Sequence, residues 1–238
     1  MQESQSAKDG GRETSGFVLG IDTCGPSGSV ALARLSGPLL EIVGQTELAG
    51  RSYSATLITA VEELLAKAGT RVGLLDAIVV VNGPGSFTGV RVGLSAAKGL
   101  AEPVGIPVVA VSRLAVLAAK AGVQSSALDA HRHEVFLRVG EPARELLAGA
   151  EELKGIAPPH SVAVCDEATA ELLGATWPDA ELVSYTAPTA GEALEFAAAR
   201  VRARDFDDVA LLDGHYLRRS DSEIFGGPAG AAAHSREK

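Results

Sequence analysis

Residues 17–22 (FVLGID) form a short, nearly unbroken apolar run, and residues 29–35 (SVALARL) form a second, joined to the first by the turn-rich TCGPSG. The pair predicts a hairpin. A third strand is predicted over 39–48 (LLEIVGQTEL), after the turn at Ser36, Gly37 and Pro38. From Ser52 the period changes: Leu57, Ile58, Val61, Leu64, Leu65 and Ala68 recur at helical spacing, and Gly69 supplies a C-terminal stop. Residues 76–83 (DAIVVVNG) are a continuous apolar run of the kind that fills a parallel sheet, and a glycine-rich elbow leads from them into a helix ending near Gly105. Residues 106–111 (IPVVAV) follow as a strand, and Ser112 caps RLAVLAAKAG, a helix closed by Gly122.

Three meandering strands followed by alternating helices and strands predict an α/β fold of the ribonuclease H-like kind, a mixed sheet with helices on its faces. The second half repeats the plan more loosely. SSALDA and HEVFLRVG make a hairpin around His131 and Arg132, HSVAVC is a short strand, EATAELLGA a helix and AELVSY a further strand. Thr189 and Glu192 then form a capping box for a long helix over 189–205. Two diverged copies of a βββαβα unit, the second smaller, predict two lobes with a cleft between them. The expected boundaries are an extension over 1–15, a first lobe over 16–122, a smaller second lobe over 123–225 and a tail over 226–238.

Composition narrows the class. The chain has 238 residues, 46% apolar and 21% charged, and no uncharged apolar run long enough for a membrane span. Its start, MQESQSAKDGGRETSG, lacks the apolar stretch of a secretory signal. Two cysteines, Cys24 and Cys165, are too few for a disulfide framework, so a cytoplasmic protein is expected. The net charge of −9 is uneven: residues 1–122 hold 10 basic and 10 acidic side chains, residues 123–238 hold 11 and 20. No basic stripe is visible, so nucleic acid is expected to be reached only through a partner.

The elbow, NGPGSFTGVRVGLSAAKGL, invites a phosphate-loop reading and fails it. Gly83 and Gly85 precede Gly89, but Val90 and Arg91 stand where a Walker loop needs lysine and a hydroxyl. The dinucleotide fingerprint fails on glycine spacing as well. The glycines are expected to serve a crowded strand-to-helix turn. The following helix is dense in small residues (Gly93, Ala96, Ala97, Gly99, Ala101), which lets a second helix lie close. In actin-like ATPases a hairpin such as GIDTCGPSGSVAL wraps nucleotide phosphates, with the acid near the metal; here Asp22 and Thr23 are the corresponding positions. The alternative is a plain hairpin in which those side chains bond their own turn. The five histidines lack the helical spacing of a metal pair, and no metal ligand set is expected.

GIDTCGPSGSVAL, VVVNGPGSFTGVRVGLSAAKGLAEPVGIPVVAVSRL, ALDAHRHEVF and HYLRRSDSEI resemble, in order and spacing, the bacterial TsaB (YeaZ) family across residues 17–224. The resemblance implies a two-lobed actin-like fold that has lost its catalytic equipment, so no catalytic residue is expected. It implies a scaffold that pairs with TsaD, the subunit that transfers a threonylcarbamoyl group to an adenosine of tRNA, and with the ATPase TsaE. It also implies that the isolated chain binds no cofactor, with ATP or ADP only at a boundary of the complex, and that tRNA is reached indirectly. The partner face falls on the first two helices, at Leu57, Val61, Leu64 and Leu65 and at Val90, Leu94, Ala97 and Ala101. The same face could self-pair as a homodimer. The rival expectation from the hairpin alone is an Mg-ATP-dependent small-molecule kinase or ATPase.

Overall fold

The structure, a computed structural model, describes residues 16–217; the extension, the tail and the RRSDSEI part of the last motif lie outside the described residues. The chain opens with β1 (Gly16–Asp22), β2 (Ser27–Ser36), β3 (Leu39–Ala49), α1 (Tyr53–Lys67), β4 (Leu75–Val81), α2 (Phe87–Ala101), β5 (Val108–Val111) and α3 (Arg113–Ala121). The same order then returns: β6 (Ser125–Asp129), β7 (Glu134–Val139), β8 (Arg144–Gly149), α4 (Ala150–Lys154), β9 (Ser161–Val164), α5 (Glu167–Thr176), β10 (Glu181–Ser184) and α6 (Ala190–Ala203). One sheet runs β3-β2-β1-β4-β5 and the other, read from its far edge, runs β8-β7-β6-β9-β10. In each, the first three strands meander antiparallel and the last two add in parallel. The duplicated two-lobed α/β architecture is therefore as expected.

The duplication is more complete than the loose repeat read from sequence. β8 was missing from that reading because ARELLAGAEELK has the charge and leucine content of a helix. Cross-strand pairing with β7, from Glu134 opposite Gly149 to Val139 opposite Arg144, makes the first half of it a strand. Propensity yields here to the hydrogen-bonding edge that β7 offers.

The capping signals lie where they were read. Ser112 Oγ accepts from the Ala115 N–H, Gly122 closes α3 in a left-handed conformation, and Thr189 and Glu192 form the capping box of α6. The lobe boundary at 122/123, however, divides the strands and not the helices. Residues 113–118 of α3 are buried consecutively, and its Leu114 and Leu117 pack with Leu128, Phe136 and Ala163 of the second sheet. In exchange α6 lies on the first sheet, burying Ala190, Ala193, Leu194, Ala197 and Val201 in that core. A helix that is apolar on every side needs neighbours on every side, and only the seam between two sheets supplies them.

The chain after α6 also returns to the first lobe. Asp207 forms a bridge to Val108 and accepts the Ala110 N–H on Oδ2 at 2.7 Å, covering the edge of β5. Arg200 holds this strap from beneath, donating to the Ala110 carbonyl at 3.0 Å and pairing with Asp205 and Asp207. Buried backbone partners of this kind close an edge that would otherwise be free to pair.

Candidate functional site

The C-terminal end of β1 delivers Asp22 and Thr23 to the mouth of the first sheet, beside the elbow between β4 and α2. Parallel strands gather their connecting turns at one end, which is why residues 60 positions apart in sequence meet here. Thr23 Oγ donates to the Gly89 carbonyl at 2.6 Å, and the Cys24 N–H donates to Asp22 Oδ1 at 2.8 Å. Cys24 Sγ is 3.2 Å from the Val81 carbonyl, and the Ser86 N–H donates to the Cys24 carbonyl at 2.8 Å. The Tyr53 hydroxyl, brought by the first turn of α1, donates to the Gly25 carbonyl at 2.8 Å. The hairpin thus bonds to its own turn, to the elbow and to α1.

The remaining oxygen, Asp22 Oδ2, faces Arg113. Arg113 Nε lies 3.6 Å from it, and the two residues are only 5% and 1% exposed. Neither Asp22 Oδ2 nor Arg113 Nε has a hydrogen-bond partner among the described residues. Burial by itself would weaken the arginine's hold on its proton, but the Asp22 charge outweighs it and leaves Arg113 more strongly protonated than usual. Burial, followed by the Asp22 charge, pushes the Cys24 thiol well up and the Tyr53 phenol up to about 12. Cys24 is consequently a neutral core thiol, without the thiolate character that a nucleophile needs.

The elbow glycines have a steric reason at each approach. A Cβ on Gly85 would overlap the Cys24 carbonyl, and one on Gly89 would overlap the Thr23 carbonyl. Both obstacles are backbone, so neither can step aside. Gly83 adopts φ +116°, a conformation open to glycine. These residues let two main chains touch.

All eight positions proposed for a partner face are committed to the chain's own core. Leu57, Val61, Leu64 and Leu65 of α1, and Val90, Leu94, Ala97 and Ala101 of α2, are each no more than 6% exposed and belong to the first core cluster. Helical spacing marks a buried stripe, and in α1 and α2 the sheet already buries it. Outside that stripe Ile58 is exposed on α1, and Phe87, Arg91, Ser95 and Gly99 are exposed on α2 at four-residue intervals. Arg91 stacks its guanidinium 3.7 Å from the Phe87 ring centroid, and Tyr216 packs on the same ring at 5.0 Å. A Cβ on Gly99 would meet nothing within 4 Å among the described residues, so the glycine serves no packing need among them.

A second polar cluster stitches the lobes together. Glu145 of β8 accepts from Ser112 Oγ on both oxygens (2.8 and 2.7 Å), pairs with Arg138 at 3.0 Å and contacts His215 Nε2 at 2.8 Å. The backbone N–H of His215 donates to the Asn82 carbonyl at 2.7 Å, at the end of β4. Burial opposes the Glu145 charge, yet the hydrogen bonds from His215 and Ser112 prevail and hold its carboxyl below the usual range. Opposite, Lys120 of α3 pairs with Glu192 of α6 at 2.6 Å and donates to Thr186.

Arg113 and Glu145 were not singled out from the sequence. One signal was available for Arg113: a charge at the first position of a helix whose next six residues, LAVLAA, are all apolar. The histidines gather into no metal site: among the described residues no group of three or more His, Cys, Asp or Glu is placed to hold an ion. His131, Arg132 and His133 occupy the exposed tip of the β6–β7 hairpin in consecutive left-handed conformations, with His131 Nδ1 2.8 Å from Asp129. Among the same residues no helix is long and apolar enough to cross a membrane.

A family profile described as "TsaD: tRNA N6-adenosine threonylcarbamoyltransferase" matches residues 45–164, just over half of the chain. The chain is 36% identical over 125 residues to the tRNA threonylcarbamoyladenosine biosynthesis protein TsaB of Haemophilus influenzae, covering 50% of this chain and 51% of that protein. It is 37% identical over 123 residues to the protein of the same name from Bacillus subtilis, covering 50% and 52%. The chain spans about half the length of the curated relatives it matches. Among solved structures, YeaZ from Pseudomonas aeruginosa superimposes with a TM-score of 0.67 at 26% identity, covering 85% of this chain and all of that one.

Proposed function

The chain belongs to the tRNA N6-adenosine threonylcarbamoyltransferase family, in its TsaB (YeaZ) group, and on that premise we propose that it is a non-catalytic subunit in the synthesis of threonylcarbamoyladenosine in tRNA. It acts in the cytoplasm as a scaffold for TsaD, with TsaE joining the assembly and tRNA contacted through the complex. One observation carries this reading: the hairpin at Asp22, where this fold would take a nucleotide, is filled by the protein's own groups. Thr23 is spent on Gly89, Asp22 on Cys24 and Arg113, and the glycines on backbone contact.

The docking surface we assign is the outward side of α2, from Phe87 through Arg91 to Gly99, continued by Ile58 of α1. Arg91 stacked on an exposed aromatic ring is the kind of pre-ordered anchor that binding energy concentrates on. Gly99 offers a bare stretch of helix against which another helix backbone can lie. ATP or ADP, if it takes part, sits at a subunit boundary and not in this hairpin.

The test is reconstitution. TsaD, TsaE and the enzyme that makes threonylcarbamoyl-adenylate are combined with tRNA, with and without this chain, and modified adenosine is measured. Modification that depends on the chain, together with its co-elution with TsaD, is the expected result. ATP turnover by the isolated chain on a small-molecule acceptor would favour the kinase alternative instead.

A further inference from the structure

We infer that Arg113 is a built-in counter-cation: it fills the hairpin site of this ATPase-like fold from within and ties the two lobes together in place of a bound Mg-nucleotide. The inference deepens the non-catalytic reading and rests on it. Three observations support it. The Arg113 guanidinium lies against Gly25, where a Cβ would overlap it, so the arginine itself occupies the space beside the hairpin turn. Its charge stands 3.6 Å from Asp22 Oδ2, an orphaned buried oxygen at the position where an acid would approach a metal. Arg113 is also the first residue of α3, the helix that leaves the first lobe to cover the second sheet.

That last point turns a local ion pair into an interlobe device. A ligand in a two-lobed fold closes the lobes because it contacts both. Here Asp22 belongs to the first sheet and Arg113 to the root of the crossing helix, so their attraction draws the same elements together with no ligand present. The neighbouring Ser112 bonds Glu145 of the second sheet, which adds a second tie one residue away. A buried charge without its partner is costly, whereas removing both charges together is close to neutral. The lobe arrangement of this chain is accordingly independent of nucleotide.

Thermal unfolding and backbone hydrogen exchange of the full chain test this, with the wild type, Arg113→Met and the double variant Arg113→Met with Asp22→Asn. The expected wild-type midpoint does not move on adding millimolar magnesium chloride, with or without ATP. Arg113→Met lowers the midpoint by on the order of 10 °C and speeds exchange in α3, and the double variant regains most of that loss. If Arg113→Met yields no folded protein, a folded double variant with a midpoint near the wild type supports the inference equally. A fully stable single variant, or a double variant no better than the single, overturns the role of Arg113 and leaves the non-catalytic reading standing. A wild-type midpoint raised by Mg-ATP, with ATP turnover, overturns both.

Discussion

The hydroxyl of Thr23 donates a 2.6 Å hydrogen bond to the carbonyl of Gly89, 66 residues further along the chain. It pins the end of β1 to the first turn of α2. Closeness is possible only because Gly89 has no Cβ: an added carbon would strike the Thr23 carbonyl, and the backbones on both sides are held by sheet and helix. Gly89→Ala is therefore expected to cost about 3 kcal/mol by overpacking. Thr23→Val keeps the shape and deletes the second bond to a carbonyl that α2 already engages, at about 1 kcal/mol. Urea unfolding curves of both variants measure the difference, and equal stability of Gly89→Ala and the wild type would contradict the close approach.

Gly99, ten residues along the same helix, behaves oppositely. Its Cβ would enter open space and its backbone is helical, so Gly99→Ala is expected to stabilise the isolated chain by about 0.5–1 kcal/mol. Gly99→Arg is expected to fold normally and to fail to co-purify with TsaD, since a long charged side chain would block close approach of a partner helix. Retention of the complex at wild-type strength would place the docking surface elsewhere. A charge at the buried Ala97 is a poorer probe, because it would test folding and docking at once.

Acid should loosen the seam at Glu145. Its folded carboxyl is held below the ordinary value by His215 and Ser112 despite burial, so the stability it contributes is present above the unfolded-state value near 4.5 and drains away as pH falls through the lower folded one. Glu145→Gln removes this component, and its stability is expected to fall less steeply than that of the wild type below that value. Ser112→Ala, which deletes a bond to a charged acceptor and the cap of α3, is expected to cost about 2 kcal/mol near neutrality. Denaturant titrations across the acid range separate the two effects.

Alkali acts on Tyr53. Burial, then the Asp22 charge, raises its phenol to about 12 from a reference of 10.0, so the neutral form is favoured in the fold. The stability this represents is complete below the unfolded value and is lost as pH climbs from there towards about 12. Tyr53→Phe is expected to remove a phenolate step near 12 from the ultraviolet titration and to cost about 1 kcal/mol through the lost bond to Gly25. Loss of a step near the reference value of 10.0 instead would mean that Tyr53 does not occupy the hairpin.

The sequence by itself determined the elements. Unbroken apolar runs made β1 and β4 strands, three-to-four spacing made α1 a helix, and Ser112, Gly122, Thr189 and Glu192 marked helix ends, because these depend on neighbours within a turn or a hairpin. The repeated order of strands and helices was legible for the same reason. What lay beyond was settled by contacts between distant segments. An apolar stripe on α1 or α2 has the same spacing whether a sheet or a partner covers it, and only the packed fold assigned Leu57 or Ala97 to the interior. RELLAG became β8 because β7 presented an unpaired edge. α3 left the first sheet because it needed apolar surroundings on more than one side, and the buried face of α6 took a place on that sheet. Arg113 met Asp22 only when the crossing helix brought a charge from residue 113 to the mouth of a sheet begun at residue 16. Pairings of that span carry no local signal; they follow from which surfaces must be buried once every element has formed.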